Sequence, residues 1–270
     1  MPRIQINNTD LHYIERGEGK ETLFFCHGLL FNHKMYNAQI DFFSSKYRCI
    51  AIDFRGQGYS QVTEDGYDMD TLTQDIYSAI QKLTDGPVHF IGLSMGGFVG
   101  MRLAARYPKL LKSLMLLNTS AGAEPFSKII KYKLLLFIAK TLGIGPVVSG
   151  VEKTMYGKSF LKDPKNKPTR DFWAKTWKEQ DIQGLIRATE GVIQRKDFAR
   201  EELGKIITPT LIVGGSEDKA LPPQKSTYLQ KHIPNSQLKF LEGVGHSTCL
   251  EAPDLLNTQL ENFLSEINKS

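Results

Sequence analysis

The 270-residue chain contains 41% hydrophobic and 23% charged residues, an ordinary globular composition that excludes disordered and fibrous proteins. Its formal net charge is +5, and the excess lies in residues 121–200, which carry twice as many basic as acidic side chains. This segment lacks the dense basic clusters with interleaved aromatic residues of a nucleic-acid surface, so we expect no nucleic-acid partner.

The sequence shows neither a secretory signal nor a membrane span. The first residues alternate polar and apolar side chains, and the densest apolar stretch, 133–148, is interrupted by Lys140 and two glycines. Cys26, Cys49 and Cys249 lack the paired spacing of a zinc or redox site, and we expect each to be buried. We therefore predict a cytoplasmic protein with no stable membrane span and no metal site; the oligomeric state stays open.

Strand and helix patterns alternate over the first part of the chain. Residues 3–17 predict a hairpin with its turn at Asn7 to Asp10. The patterns that follow are buried strands at 21–28 and 47–56, a helix at 69–84, a strand at 87–94, a helix at 95–107 and a strand at 111–119. Strands that alternate with helices predict an α/β fold with a parallel sheet and right-handed crossovers.

The alternation stops at Ser120 and resumes at Pro209, with helical patterns between them. An inserted helical subdomain at 120–200 is the simplest explanation, and it leaves 1–119 and 201–270 as the core domain. The remaining predicted elements are a strand ending at Asp218, a helix opened by Pro222 and Pro223, a strand at 237–243 and a closing amphipathic helix from Pro253.

Residues 92–96 match G-x-S-x-G, the sharp strand-to-helix turn that presents a nucleophilic serine. The strand predicted before this motif and the helix predicted after it favour Ser94 as a nucleophile over a polar residue in an ordinary glycine-rich turn. At the amino end of a helix, free backbone amides and the helix dipole would also face a developing oxyanion.

A serine nucleophile needs a base, and the base needs an anion that holds its tautomer. His246 lies in the glycine-containing loop between the last strand and the last helix, where an imidazole can stand at the carboxyl edge of the sheet. Asp218 and Glu217 compete for the role of the anion. Four other histidines lack such a placement and are expected to be structural: His12, His33, His89 and His232.

A fourth element of the site is the loop that follows the strand at 21–28. We predict that the N–H groups of Leu29 and Met95 together bind the oxyanion. His27, at the start of this loop, is interpreted as a residue that organises the loop rather than as a base.

Five segments, HGLL, DFRGQGYS, GLSMGG, GGSEDKALP and GVGHSTCLEAP, are similar to the successive signatures of the α/β-hydrolase superfamily. The resemblance is to its serine carboxylesterase and lactonase-like branch. It implies a mostly parallel eight-stranded sheet with a helical cap over the active site and no cofactor. It also favours Asp218 over Glu217, because the spacing from Gly215 to Asp218 to Pro222 resembles the family's acid loop.

The expected activity is hydrolysis of an ester, thioester or lactone through an acyl-enzyme on Ser94. Two alternatives stay open: an acyltransferase with the same triad, and a ligand receptor on the same fold. Branches that carry aspartate at the position of Ser94, such as haloalkane dehalogenases and epoxide hydrolases, do not fit.

The insertion is expected to decide which substrate binds. Five residues are predicted to contact the substrate: Leu30, Phe31, Phe137, Trp173 and Trp177. The apolar helix pattern at 125–143 favours a helix packed on the core over an acyl-binding or interfacial lid. The two tryptophans, one helical turn apart, can equally wall the pocket or anchor the cap. The lysines of the insertion are interpreted as a solvated face rather than a site for anionic substrates.

Overall fold

A computed structural model describes residues 2–269, and its centre is one eight-stranded sheet. The strands are β1 (Arg3–Ile6), β2 (Thr9–Arg16), β3 (Thr22–Cys26), β4 (Arg48–Ile52), β5 (Val88–Leu93), β6 (Leu111–Leu117), β7 (Thr210–Gly215) and β8 (Ser236–Leu241). Their spatial order is β1-β2-β4-β3-β5-β6-β7-β8. The pairs β1–β2 and β2–β4 are antiparallel and the other pairs are parallel, which confirms the predicted mostly parallel sheet.

The first hairpin turns more tightly than predicted. Thr9 already pairs with Ile6, so the turn consists of Asn7 and Asn8 alone. Both have positive φ, 45° and 61°, the conformation that a two-residue hairpin turn requires and that asparagine tolerates.

Twelve α-helices accompany the sheet in the described residues. They are α1 (Asn37–Phe43), α2 (Met69–Leu83), α3 (Met95–Arg106), α4 (Phe126–Leu142), α5 (Val148–Met155), α6 (Lys158–Lys162), α7 (Lys167–Glu179), α8 (Ile182–Ile193), α9 (Arg200–Leu203), α10 (Gln224–His232), α11 (Thr248–Glu251) and α12 (Pro253–Ile267). Within residues 2–269, none of them is long and apolar enough to cross a lipid bilayer.

The central strands β3, β5 and β7 are buried along their whole length, and their successive side chains point to opposite faces of the sheet. In β3, for example, Phe24 joins the cluster that packs under α2, α3 and α10, while Phe25 joins the cluster under α1 and α12. The two helical layers therefore cover two separate apolar cores. With both faces covered, the loops at the carboxyl ends of the strands are where polar side chains can converge.

The chain between β6 and β7 is helical, as the sequence predicts. Helices α4 to α8 lie wholly within residues 120–200, and that segment contains no strand. The division into a core domain and a cap stays a prediction, but the topology places one continuous helical insertion after the strand that neighbours β5 in the sheet.

Candidate active site

Ser94 occupies a strained turn between β5 and α3. Its φ of 52° and ψ of −109° lie outside the regions that L-residues prefer, at a cost of about 1–3 kcal/mol. The flanking glycines make this turn possible. A Cβ on Gly92 would overlap the backbone of Gly96, and a Cβ on Gly96 would overlap the carbonyl of Cys26 in β3. The motif therefore brings the helix against the strands and lifts the serine out of the sheet.

Three hydrogen bonds hold the strained turn. The N–H of Ser94 donates to the carbonyl of Leu117 at 2.9 Å. The carbonyl of Ser94 accepts from the N–H of Phe98 at 3.0 Å and from Oγ1 of Thr119 at 2.8 Å. The backbone around the serine is thus fixed by β6 and by the first turn of α3.

His246 and Asp218 are paired and buried. Nδ1 of His246 lies 2.8 Å from Oδ2 of Asp218, and the two residues are 3% and 4% exposed. Oδ1 of Asp218 accepts from the N–H of Leu221 at 2.8 Å, and Oδ2 also accepts from Nδ2 of Asn118 at 2.9 Å. This carboxylate is therefore oriented by donors on both oxygens, and it engages the Nδ1 side of the imidazole.

Glu217, the competing acid, binds a different part of the chain. Its carboxylate accepts from the N–H and from Oγ of Ser159, both at 2.7 Å. These bonds lower the pKa of Glu217. The geometry thus pairs Asp218 with the histidine, although β7 ends at Gly215 and not at Asp218 as predicted.

Two positioning residues around His246 were missed by the sequence reasoning. Nδ2 of Asn118 bridges Asp218 and the carbonyl of Gly245, at 2.9 and 3.0 Å. The carboxylate of Glu251 accepts from the N–H groups of Gly245 and Ser247 at 2.8 and 3.0 Å, so it holds the chain on both sides of His246. Burial raises the pKa of Glu251, and these bonds oppose that rise.

Ser94 and His246 line the same cavity, together with the loop of Leu29, Leu30 and Phe31. Within residues 2–269, neither the N–H of Leu29 nor that of Met95 donates to another group of the chain. Two free N–H groups beside a serine are what a developing oxyanion requires.

The loop that carries Leu29 is held by two glutamines. Leu30 has a φ of 71°, which is strained for a leucine. Its N–H donates to Oε1 of Gln57, and its carbonyl accepts from Nε2 of Gln180, both at 2.8 Å. Oε1 of Gln180 also accepts from the N–H of Gly58 at 3.1 Å. Gln180 belongs to the inserted segment, so the insertion contacts the candidate oxyanion loop directly.

Most of the cavity wall comes from the inserted segment and is apolar. The apolar lining side chains from α4, α5 and α8 and their connections include Leu135, Leu136, Ala139, Ile144, Val147, Val151, Met155, Leu185, Ile186, Val192 and Ile193. An ion pair also lies in this wall: Nη1 of Arg195 donates to Oε2 of Glu124 at 2.9 Å, with both residues less than one-tenth exposed. The guanidinium also lies 4.3 Å from the ring centroid of Phe98, one helical turn after Ser94.

The alpha/beta hydrolase fold family model matches residues 21–253. The chain belongs to the α/β-hydrolase family.

Relatives of this α/β hydrolase include "AB hydrolase superfamily protein YisY" of Bacillus subtilis (strain 168), which is 29% identical over 92% of each chain. Among solved structures, a thermophilic esterase from Thermogutta terrifontis superposes with a TM-score of 0.90 at 22% identity over 99% of each chain. The enol-lactonase from Burkholderia xenovorans LB400 also superposes with a TM-score of 0.90, at 24% identity over 98% of this chain and 100% of that one. These structures share the hydrolase fold.

Three predicted substrate contacts of the hydrolase require correction. Phe137 is 65% exposed and does not line the cavity, because it lies on the outer side of α4. Trp173 and Trp177 are each 1% exposed and pack edge-on against Phe31, with ring centroids 4.8 and 5.7 Å away. Of the two interpretations left open for the tryptophans, the geometry supports that they anchor the inserted segment. They pack behind Phe31, which lines the cavity, and do not line the cavity themselves.

The prediction that α4 packs on the core is also wrong. Of the residues of this helix, only Ala139 is buried. The inward side of the helix lines the cavity, and its outward side is exposed.

Two of the four histidines that were expected to be structural, His12 and His33, are buried, although the sequence places them in a hairpin and a loop. Nδ1 of His12 lies 2.9 Å from one oxygen of Asp53, and Nδ1 of His33 lies 2.9 Å from the other. The carboxylate also accepts from the N–H groups of His33 and Tyr59. Burial raises the pKa of Asp53, but the bonds from both imidazoles outweigh it, and the pKa is lowered.

The same three side chains are close enough to share a cation, since their ligand atoms lie within 4.8 Å of one another. Each carboxylate oxygen of Asp53 already has one backbone N–H and at least one imidazole nitrogen within hydrogen-bond distance. With these bonds, Asp53 connects the first hairpin to the loops at residues 32–33 and 53–60, which supports a structural role rather than a metal centre.

The three cysteines are buried and free, as predicted. Burial raises the pKa of Cys26 and of Cys249, which lie near the site. Because the thiolate is the reactive form, this shift opposes any role for them as nucleophiles.

Proposed function

We propose that the protein is a serine esterase that cleaves carboxylic esters with an apolar acyl group through an acyl-enzyme on Ser94. The observation that carries the proposal is the 2.8 Å contact between Nδ1 of His246 and Oδ2 of Asp218 beside a cavity that Ser94 also lines. The strained turn at Ser94 and the two free N–H groups near it support the same assignment.

In the proposed mechanism, Oγ of Ser94 attacks the ester carbonyl carbon while Nε2 of His246 takes the hydroxyl proton. The carbonyl oxygen becomes an oxyanion that accepts hydrogen bonds from the N–H groups of Leu29 and Met95. Collapse of the tetrahedral intermediate breaks the bond to the alcohol, which leaves with the proton from His246. Water then attacks the acyl-enzyme, with His246 as base, and releases the acid and Ser94.

Asp218 acts through His246 in this scheme. Its carboxylate holds the proton on Nδ1, so that Nε2 is the nitrogen left to accept from the serine, and it stabilises the imidazolium. Asn118 and Leu221 restrict the carboxylate, and Glu251 restricts the loop of the imidazole.

The apolar wall supports an apolar acyl group as the preferred substrate. Burying a CH₂ group stabilises by about 0.8 kcal/mol, so each added methylene that fits the cavity should raise kcat/KM about fourfold. We propose that residues 120–200 act as a cap whose inner surface sets this preference. The named relatives include an esterase and an enol-lactonase, so ester and lactone chemistry both belong in the test.

The test is a panel of p-nitrophenyl esters of increasing acyl length, with lactones and thioesters, on the protein and on Ser94→Ala. We expect turnover of the esters, labelling by a fluorophosphonate probe, and a loss of at least about 10⁴-fold in Ser94→Ala. Ser120→Ala is the matched control, because Ser120 is buried and its Oγ has no hydrogen-bond partner within residues 2–269.

Three outcomes contradict the proposal. Undiminished turnover in Ser94→Ala would reject the nucleophile. A folded protein that neither reacts with the probe nor cleaves any ester would favour a receptor. Preference for lactones over every linear ester would change the proposed substrate class to lactones but would leave the proposed triad unchanged.

A further inference from the structure

The outward side of α4 exposes a continuous apolar stripe. Phe126, Ile130, Leu134 and Phe137 are 76%, 56%, 59% and 65% exposed. Their spacing of four, four and three residues places them on one side of the helix. We call these four residues the outer stripe.

The opposite side of α4 is also apolar, because it lines the cavity. Tyr132, Leu135, Leu136 and Ala139 are the lining residues from this helix. A helix with two opposite apolar sides ordinarily has both of them covered. The inner side of α4 is covered by the cavity that it closes, whereas the outer stripe has no cover within residues 2–269.

The charges beside the outer stripe are all positive. Lys133 and Lys140 lie along one side of it and Lys131 along the other, and the segment Phe126–Leu142 contains no acidic residue. Within residues 2–269, none of these three lysines has an ion-pair partner. Lys128, by contrast, is used internally, since its Nζ donates to the carbonyl of Ala220 at 2.6 Å.

These charges discriminate between the possible occupants of the surface. A second copy that buried the same stripe face to face would bring two sets of unpaired lysines together, and like charges repel. A surface that offers both an apolar layer and negative charges at its edge satisfies the stripe and the lysines at once. The boundary of an anionic lipid bilayer has this chemistry.

We propose that α4 is a lipid-docking helix: its outer stripe inserts into the boundary of an anionic lipid surface while Lys131, Lys133 and Lys140 contact the headgroup phosphates. The helix then lies between two apolar spaces, the lipid and the cavity beside Ser94. An apolar substrate dissolved in the lipid would be concentrated at the wall of the cavity. This association is peripheral and needs no spanning segment.

The experiment measures binding of the full chain to vesicles, without a substrate, so it does not depend on the proposed esterase activity. Vesicles of phosphatidylcholine with 30% phosphatidylglycerol are compared with pure phosphatidylcholine by co-sedimentation. We expect at least about tenfold tighter binding to the anionic vesicles, and loss of this difference at about 0.5 M NaCl because salt screens the lysines.

Two variants separate the apolar and the charged contributions. Phe137→Asp should weaken binding to anionic vesicles about tenfold or more, and Lys131→Gln/Lys133→Gln/Lys140→Gln should reduce it to the level of neutral vesicles. Ile207→Asp is the matched control, because Ile207 is 68% exposed but lies just before β7, outside α4. Its binding should equal that of the unchanged protein. All variants should retain turnover of a short water-soluble ester, since none alters a cavity residue.

Sedimentation equilibrium of the same variants tests the competing occupant. A dimer that Phe137→Asp dissociates would overturn the proposal in favour of a second copy. Equal loss of vesicle binding in Ile207→Asp, or no binding to anionic vesicles at all, would also overturn it.

Discussion

The two sides of the cavity are built in different ways. On the sheet side, each group near the reaction centre is held by directed hydrogen bonds: Asp218 has donors on both carboxylate oxygens, and the carbonyl of Ser94 accepts twice. On the side of the insertion, aliphatic residues of α4, α5 and α8 supply an apolar wall. Apolar contact is non-directional, so such a wall is defined by shape, whereas acid–base chemistry needs atoms at fixed positions.

This contrast indicates where substitutions should change the rate and where they should change the choice of substrate. A polar change on the sheet side should affect kcat for every ester. A change in the apolar wall should alter the relative kcat/KM of different acyl lengths. Two features cross the division: Gln180 reaches the oxyanion loop from the insertion, and the Arg195–Glu124 pair is a directed polar contact inside the apolar wall.

Among the substitutions that test this contrast, Asp218→Asn has the largest expected effect. We expect kcat to fall by about 10⁴-fold, because an amide that donates to Nδ1 favours the wrong tautomer of His246. The side chain keeps its size, so the fold should persist. Steady-state kinetics on a short p-nitrophenyl ester provide the measurement.

Glu217→Gln is the matched control for this substitution. Glu217 binds Ser159 and not His246, so kcat should stay within about threefold of the unchanged protein. A greater loss of kcat in Glu217→Gln than in Asp218→Asn would show that the acid is Glu217 and not Asp218.

The next effect is on stability and concerns the polar contact in the apolar wall. Arg195→Met leaves the carboxylate of Glu124 buried without its closest cation, and we expect the free energy of unfolding to fall by about 3 kcal/mol. Lys128, whose Nζ lies 3.9 Å from Glu124, offsets part of the loss. Urea unfolding monitored by circular dichroism measures it.

The double variant Glu124→Gln/Arg195→Met distinguishes a paired charge from simple packing. If the loss arises from an unpaired carboxylate, the double variant should recover most of the stability. If the single and the double variant lose the same free energy of unfolding, packing of the guanidinium on Phe98 is the dominant contribution. The ion pair in the wall then adds nothing to stability.

The sheet side was also the more predictable of the two from the sequence. Local signals are strong there: buried strands read as apolar runs, glycines mark the turn at Ser94, and the candidate residues follow strands. Those signals led to Ser94 and His246 and narrowed the acid to Asp218 or Glu217, and the resemblance to the family's acid loop decided for Asp218.

The inserted segment was less predictable because its signals are ambiguous. The apolar pattern of α4 predicts burial, but it does not distinguish a helix with one exposed side from a helix that is covered on both sides. Phe137 was therefore predicted to contact the substrate, although it faces outward. Asn118 and Gln180 act through partners 100 or more residues away, and a single polar residue in a loop gives no sign of such a partner. Glu251 acts on nearby residues, but through backbone N–H groups, which no sequence pattern shows. Asn118 at the end of a buried strand was the one such residue with a positional signal.

The smallest expected effect tests whether the insertion contributes to the chemistry as well as to the shape of the cavity. Gln180→Ala removes the donor to the carbonyl of Leu30, whose strained backbone then has only Gln57 to hold it. We expect kcat to fall about tenfold with KM nearly unchanged, the cost of about one hydrogen bond in the positioning of the Leu29 amide. Steady-state kinetics on a short ester separate the two constants.

Two further variants distinguish positioning from general stability. Gln183→Ala alters an exposed glutamine three residues away and should change neither constant. Gln180→Glu keeps an acceptor for the N–H of Gly58 but cannot donate to Leu30, so its kcat should match that of Gln180→Ala. Two results would contradict this prediction: Gln180→Glu behaves like the unchanged protein, or KM rises while kcat stays constant. The insertion would then act on substrate binding alone, and only the sheet side would contribute to the chemistry.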